Sequence, residues 1–122
     1  MRTLIMGALL AGLAAGNAQA QPVKPTIVLV HGAFADSSSW NGVIPFLEQD
    51  GYRVVAAPNP LRGVRADADV VADLVRSIAG PVILVGHSYG GSVISEAAAG
   101  HANVKGLVYV AAFAPDVGET AV

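Results

Sequence analysis

The chain has 122 residues, of which 53% are hydrophobic and 13% charged, with a formal net charge of −2. That balance excludes an intrinsically disordered chain and supplies no basic excess for nucleic acid or an anionic membrane surface. The absence of cysteine excludes disulfides, zinc–thiolate sites and a thiol nucleophile, and three histidines are few for a histidine metal cluster.

Residues 1–20 read as a secretory signal peptide. Arg2 gives a short positive start, Leu4 to Leu13 an apolar core, and Ala18-Gln19-Ala20 small residues at the two positions that a signal peptidase reads. The apolar run is shorter than the roughly 20 residues needed to span a bilayer. Cleavage after Ala20 would leave Gln21-Pro22 at the mature N-terminus of a secreted or periplasmic protein. No membrane association is expected once the leader is removed.

After Pro25, apolar runs alternate with helical patterns. Thr26 to Val30 is a continuous β-branched run, the mark of a strand buried on both faces, and His31-Gly32 ends it. Trp40, Val43, Ile44 and Leu47 recur at helical spacing up to Asp50-Gly51, and Pro45 demands a late start or a kink. Arg53 to Ala57 is a second short strand, closed by Pro58-Asn59-Pro60, and 61–66 is a loop. Asp67 is the expected N-cap of a helix that carries Val70, Val71, Leu74, Val75 and Ile78 on one face. Val82 to Val85 is a third strand, Ser88 to His101 a helix rich in Ala, Gly and Ser, and a fourth strand begins at Val104 in the run to Phe113. The order β-α-β-α-β-α-β with short connections implies a three-layer α/β sandwich, a mostly parallel sheet of about four strands covered by helices on both faces.

The chemistry concentrates in Gly86-His87-Ser88-Tyr89-Gly90-Gly91. Gly-x-Ser-x-Gly, with a strand before it and a helix after it, meets the context of a nucleophile elbow. A sharp strand-to-helix turn would expose the Ser88 hydroxyl, and Gly86 and Gly90 would let strand and helix pass closely. The plain alternative is a glycine-rich turn with an incidental serine. Two phosphate-binding motifs fail at a specific residue. Ser88 stands where a dinucleotide fingerprint needs its second glycine, and Ser92 follows Gly91 where a Walker loop needs lysine. His31-Gly32-Ala33-Phe34 follows the first strand, where the backbone N–H of Ala33 could join that of Tyr89 in an oxyanion hole. His31 and His87 read as structural, and His101 as a solvated residue at a helix C-terminus.

Val-Leu-Val-His-Gly-Ala-Phe (28–34), Trp40, Val-Gly-His-Ser-Tyr-Gly-Gly (85–91) and Val-Ala-Ala-Phe-Ala-Pro-Asp (110–116) together resemble the α/β-hydrolase superfamily. Within it, the likeness is to the small cap-bearing esterases that include plant methyl esterases and hydroxynitrile lyases. It covers about residues 26–116. The resemblance implies Ser88 as nucleophile, Ala33 and Tyr89 as oxyanion-hole donors, Phe34 at the substrate, a small-molecule carboxylic ester as substrate, and neither metal nor organic cofactor. Aspartate at position 88 would instead resemble a haloalkane dehalogenase or epoxide hydrolase, and cysteine a dienelactone hydrolase. The family's acid and base follow the nucleophile in the order Ser…Asp/Glu…His. Here only His101 follows Ser88, roughly 20 Å away by helical rise, and Asp116 looks structural in the resembled subgroup. The chain therefore reads as the first part of a hydrolase, inactive without its general base. A hydroxynitrile-lyase-like enzyme and a non-catalytic binding module on the same fold are the alternatives. In such a piece, the strand from Val104 to Ala111 is expected to form an open, aggregation-prone sheet edge.

Overall fold

A computed structural model describes residue 16 and residues 18–120, so most of the expected leader lies outside the described residues. Four strands, β1 (Thr26–Val30), β2 (Val54–Ala56), β3 (Val82–His87) and β4 (Val104–Val110), form one parallel sheet in the order β2-β1-β3-β4. All five residues of β1 are buried. The cause is its central position: Ile27 pairs with Val54 on one side and with Ile83 on the other. Its β-branched side chains then fill both faces of the sheet.

Alternation along the strands separates two cores. Val28 and Val30 of β1 and Val82 and Leu84 of β3 face α2 (Val64–Ser77) and α3 (Gly90–Ala97), where they meet Val71, Val75, Val93 and Ile94. Ile27 and Leu29 face the other way and pack on Trp40, with Ile44, Leu47, Ile83 and Val85 around them. Trp40 ends a 3-10 turn, Ser37–Trp40, whose N-cap Asp36 accepts from the backbone N–H of Ser38. Helix α1 (Ile44–Gln49) starts only after it, with Pro45 in its first turn, as the proline dictates. This side of the sheet is more thinly covered. An apolar groove of about 410 Å³ remains along Leu29, Trp40, Val85, Val108 and Val110.

Several boundaries differ from expectation. Helix α2 begins at Val64, three residues before Asp67, and its N-cap position is Gly63. Asp67 therefore caps nothing: it lies inside the helix with no exposed surface. The helix after Ser88 is shorter than expected, because it ends at Ala97 and Gly100 turns the chain with φ +76°. Strand β3 continues to His87, two residues further than its apolar run, because it keeps pairing through Gly86↔Tyr109 and His87↔Val110. Strand β4 stops at Val110, where Ala111 takes φ +42° and leaves the sheet. Strand β2 is trimmed to Val54–Ala56, the residues that pair with β1.

The corner between β3 and α3 is the tightest place in the fold. A Cβ on Gly86 would lie 2.6 Å from the Gly90 oxygen, and one on Gly90 would lie 2.5 Å from the Val30 oxygen and 2.9 Å from that of His31. A Cβ on Gly91 would collide with the Phe113 oxygen. Backbone cannot rotate aside as a side-chain tip can. Gly90→Ala should therefore lower stability by about 1–3 kcal/mol, the usual cost of overpacking. Urea denaturation measures it, and an unchanged midpoint would contradict the packing described. The edge strand gives a second expectation. Val108 and Val110 of β4 are 45% and 42% exposed beside an open row of backbone groups. The 122-residue polypeptide expressed by itself should self-associate, and Val108→Lys should reduce this. Light scattering reads the outcome, and a monodisperse unmodified chain would contradict it.

Candidate active site

The strand order locates the site before any side chain is considered. From β1 the chain moves to β2 on one side, then crosses to β3 on the other. The carboxyl ends of β1 and β3 therefore flank the switch point, where open α/β sheets leave a crevice. The loop His31-Gly32-Ala33-Phe34 leaves one of these ends, and Ser88 follows the other.

Ser88 has φ +53°, a left-handed conformation that an L-residue reaches only at a cost of about 1–3 kcal/mol. Three hydrogen bonds hold it there. Its N–H donates to the Val110 oxygen at 3.4 Å, and its carbonyl accepts from Gly91 N–H at 3.0 Å and Phe113 N–H at 3.1 Å. Tyr89 then takes the N-cap position of α3, with φ −52°. Ser88 is half-buried, and among the described residues its hydroxyl has no hydrogen-bond partner.

The first loop is brought against this corner. A Cβ on Gly32 would lie 3.1 Å from Ser88 Cβ and 3.2 Å from His87 Nδ1. Glycine at 32 thus lets the loop close on the serine. His31 is buried, and its Nδ1–H donates to the Gly32 carbonyl at 2.8 Å. Asn59, also buried, donates from Nδ2 to the His31 carbonyl at 2.9 Å. The loop is held by these two bonds, and among the described residues the N–H groups of Ala33 and Tyr89 have no protein acceptor. Phe34 projects from the loop with its whole side chain in solvent.

His101 and Asp116 are not brought in, and His87 meets the corner only through its ring against Gly32. His87 is exposed on the face that continues Ile83 and Val85. His101 lies at the opposite, amino end of the strands, where its carbonyl accepts from Val104 N–H at the start of β4. Asp116 forms a turn with Glu119, its N–H donating to Glu119 Oε2 at 2.7 Å. Among the described residues no group of three or more His, Asp or Glu side chains could hold a metal ion. A cleft of about 600 Å³ lies on the other side of Tyr89, lined by Val64, Ser92, Glu96, Phe113 and Asp116, and Ser88 is not among its walls.

One partner of the corner escaped the sequence reading. Tyr89 Oη–H donates to Asp67 Oδ2 at 2.6 Å, while Asp67 Oδ1 accepts from Arg62 N–H at 2.9 Å. Burial, then the hydrogen bond to Asp67 and its charge, push the Tyr89 phenol well above its usual range. A signal was present: Asp67 stands four, seven and eight residues before Val71, Leu74 and Val75, in the apolar stripe of α2. A carboxylate at such a position needs a buried donor.

Known proteins agree with this architecture. The family model "Alpha/beta hydrolase family" matches residues 27–122. A pyrethroid hydrolase of Sphingobium wenxiniae is 36% identical over 99 residues, 70% of this chain and 35% of its own length. A carbendazim hydrolyzing esterase of a Nocardioides species is 34% identical over 106 residues, 76% of this chain and 44% of its own. The crystal structure of polyneuridine aldehyde esterase superposes with a TM-score of 0.67 at 27% identity, covering 77% of this chain and 42% of that one. The chain thus spans less than half the length of these relatives. A parallel sheet with a serine corner at its switch point, matched by a family model over most of its length, places this chain in the alpha/beta hydrolase family.

Proposed function

We propose that this chain carries the nucleophile and the oxyanion hole of a serine hydrolase acting on small carboxylic esters. The observation behind this reading is the left-handed Ser88 at the corner of β3 and α3, with the Gly32 loop against it. The names of the relatives, an esterase and two further enzymes of hydrolytic or esterase type, support the reaction class.

In this reading Ser88 Oγ attacks the ester carbonyl carbon while a base takes its proton. The carbonyl π electrons move to the oxygen, which accepts hydrogen bonds from the N–H groups of Ala33 and Tyr89. Collapse of the tetrahedral intermediate expels the alcohol, which receives the proton, and leaves an acyl group on Ser88. Water then releases the acid by the same steps. Each oxyanion donor is worth about 3 kcal/mol of barrier. Phe34, exposed on the loop that carries Ala33, is free to contact the substrate in this reading. Among the described residues no histidine bonds the Ser88 hydroxyl, and His101 stands at the amino end of β4, away from it. An unassisted serine hydroxyl is a poor nucleophile at neutral pH.

A fluorophosphonate probe tests the reading. In the whole protein it should label Ser88, located by peptide mass spectrometry, and Ser88→Ala should remove both labelling and ester hydrolysis. The 122-residue chain by itself should stay unlabelled for want of a base. Labelling elsewhere, or hydrolysis that survives Ser88→Ala, would overturn the proposal.

Export is proposed with it, on the strength of the small residues at Ala18 and Ala20 after an apolar run. N-terminal sequencing of protein recovered from the producing cells should begin at Gln21. A protein that retains Met1 or Arg2 would refute this.

A further inference from the structure

We infer that Asp67 is a positioning residue for the oxyanion hole, acting through the hydroxyl of Tyr89. This rests on the reading of Tyr89 N–H as an oxyanion donor and goes beyond it, because Asp67 lies on a different helix and touches neither Ser88 nor the substrate. Asp67 has no exposed surface and sits among the apolar residues of α2, where a carboxylate is retained only if its oxygens are satisfied. Both oxygens are engaged, and they go to two separate segments. Oδ1 takes the N–H of Arg62, in the loop that contains the left-handed Leu61, and Oδ2 takes the phenol of Tyr89. At 2.6 Å the second bond is short and charge-assisted.

Tyr89 is thereby fixed at both ends. Its backbone follows the strained Ser88 and starts α3, while its ring packs on the main core and its hydroxyl ends on α2. The tether bears on the peptide joining Ser88 to Tyr89, whose N–H has no protein acceptor among the described residues. The peptide plane that carries this N–H turns about Ser88 ψ and Tyr89 φ, and relief of the left-handed conformation at Ser88 favours such a turn. The Asp67–Tyr89 bond opposes it, so the donor stays aimed where negative charge develops rather than turning to water. The effect belongs to the transition state and should leave ground-state ester binding almost untouched.

The experiment compares Tyr89→Phe, Asp67→Asn and the double variant in the whole protein. Tyr89→Phe removes only the bonding hydroxyl and keeps the ring, so it tests the tether even if Asp67→Asn does not fold. Expected are an intact cooperative thermal transition, a fall in kcat for p-nitrophenyl butyrate of about tenfold, and a KM within about twofold. The affinity of a trifluoromethyl ketone, which forms an oxyanion adduct on serine, should fall by the same factor. The double variant should be no worse than the worse single one, since both remove one interaction. A folded Tyr89→Phe with unchanged kcat and ketone affinity would overturn the inference, as would a rise in KM alone. The tether itself is read without activity by tyrosine Cζ resonances. The Tyr89 phenol should titrate at lower pH in Asp67→Asn, and an unmoved titration would likewise overturn the inference. Hydrolysis that survives Ser88→Ala would instead bring down the parent reading, whatever the tether does.

Discussion

Ser88 keeps a left-handed backbone because four segments grip the peptides around it. The end of β4 takes its N–H, the first turn of α3 and the chain after β4 take its carbonyl, and the oxygens of β1 press against Gly90. A serine released from these contacts would relax toward an extended or helical conformation and withdraw its hydroxyl into the turn. The glycines at 86, 90 and 91 follow from the same crowding, since backbone oxygens occupy the space that any Cβ would need. Strain at the corner and close packing around it are one arrangement: the contacts supply the free energy that the conformation costs.

The sheet order explains why this corner meets a second loop at all. Because β1 lies between β2 and β3, its carboxyl end opens beside that of β3, and the Gly32 loop is delivered to the serine by topology alone. Asn59 comes from the loop after β2 and bonds the His31 carbonyl, so the neighbouring strand steadies the loop from its other side. Buried polar groups are thus used at this end of the sheet as ties between segments, while Thr26, at the start of β1, is the polar side chain among the buried strand positions beneath. Asp67 belongs to the same pattern, one layer further out.

The two faces of the sheet differ in kind. The face toward α2 and α3 is closed by interlocking aliphatic side chains, with Val71, Val75, Val93 and Ile94 fully buried. The face toward Trp40 remains an apolar groove, and β4 presents Val108 and Val110 beside it. The serine corner draws its rigidity from the closed face, because α3 and the Tyr89 ring pack there.

The existence of the strands, their parallel class and the position of the serine are legible in the order of residues alone. Five β-branched or aliphatic residues from Thr26 to Val30 can be satisfied only by burial on both sides, and Gly-x-Ser-x-Gly between an apolar strand and a helix admits few geometries. Pro45 announced the late start of α1, because proline is accepted in a first turn and rejected later. Which distant groups satisfy one another emerges only from the packed fold. Asp67 looked like an N-cap because aspartate at the start of an apolar stripe commonly is one. Its true partner, Tyr89, stands 22 residues away and is found only once α2 and α3 lie side by side. The lengths of α3 and β4 were likewise settled by contact, at Gly100 and Ala111, where the chain turns through positive φ. Local propensity records what a segment can do, whereas hydrogen bonds across the sheet edge depend on the position of every strand between them.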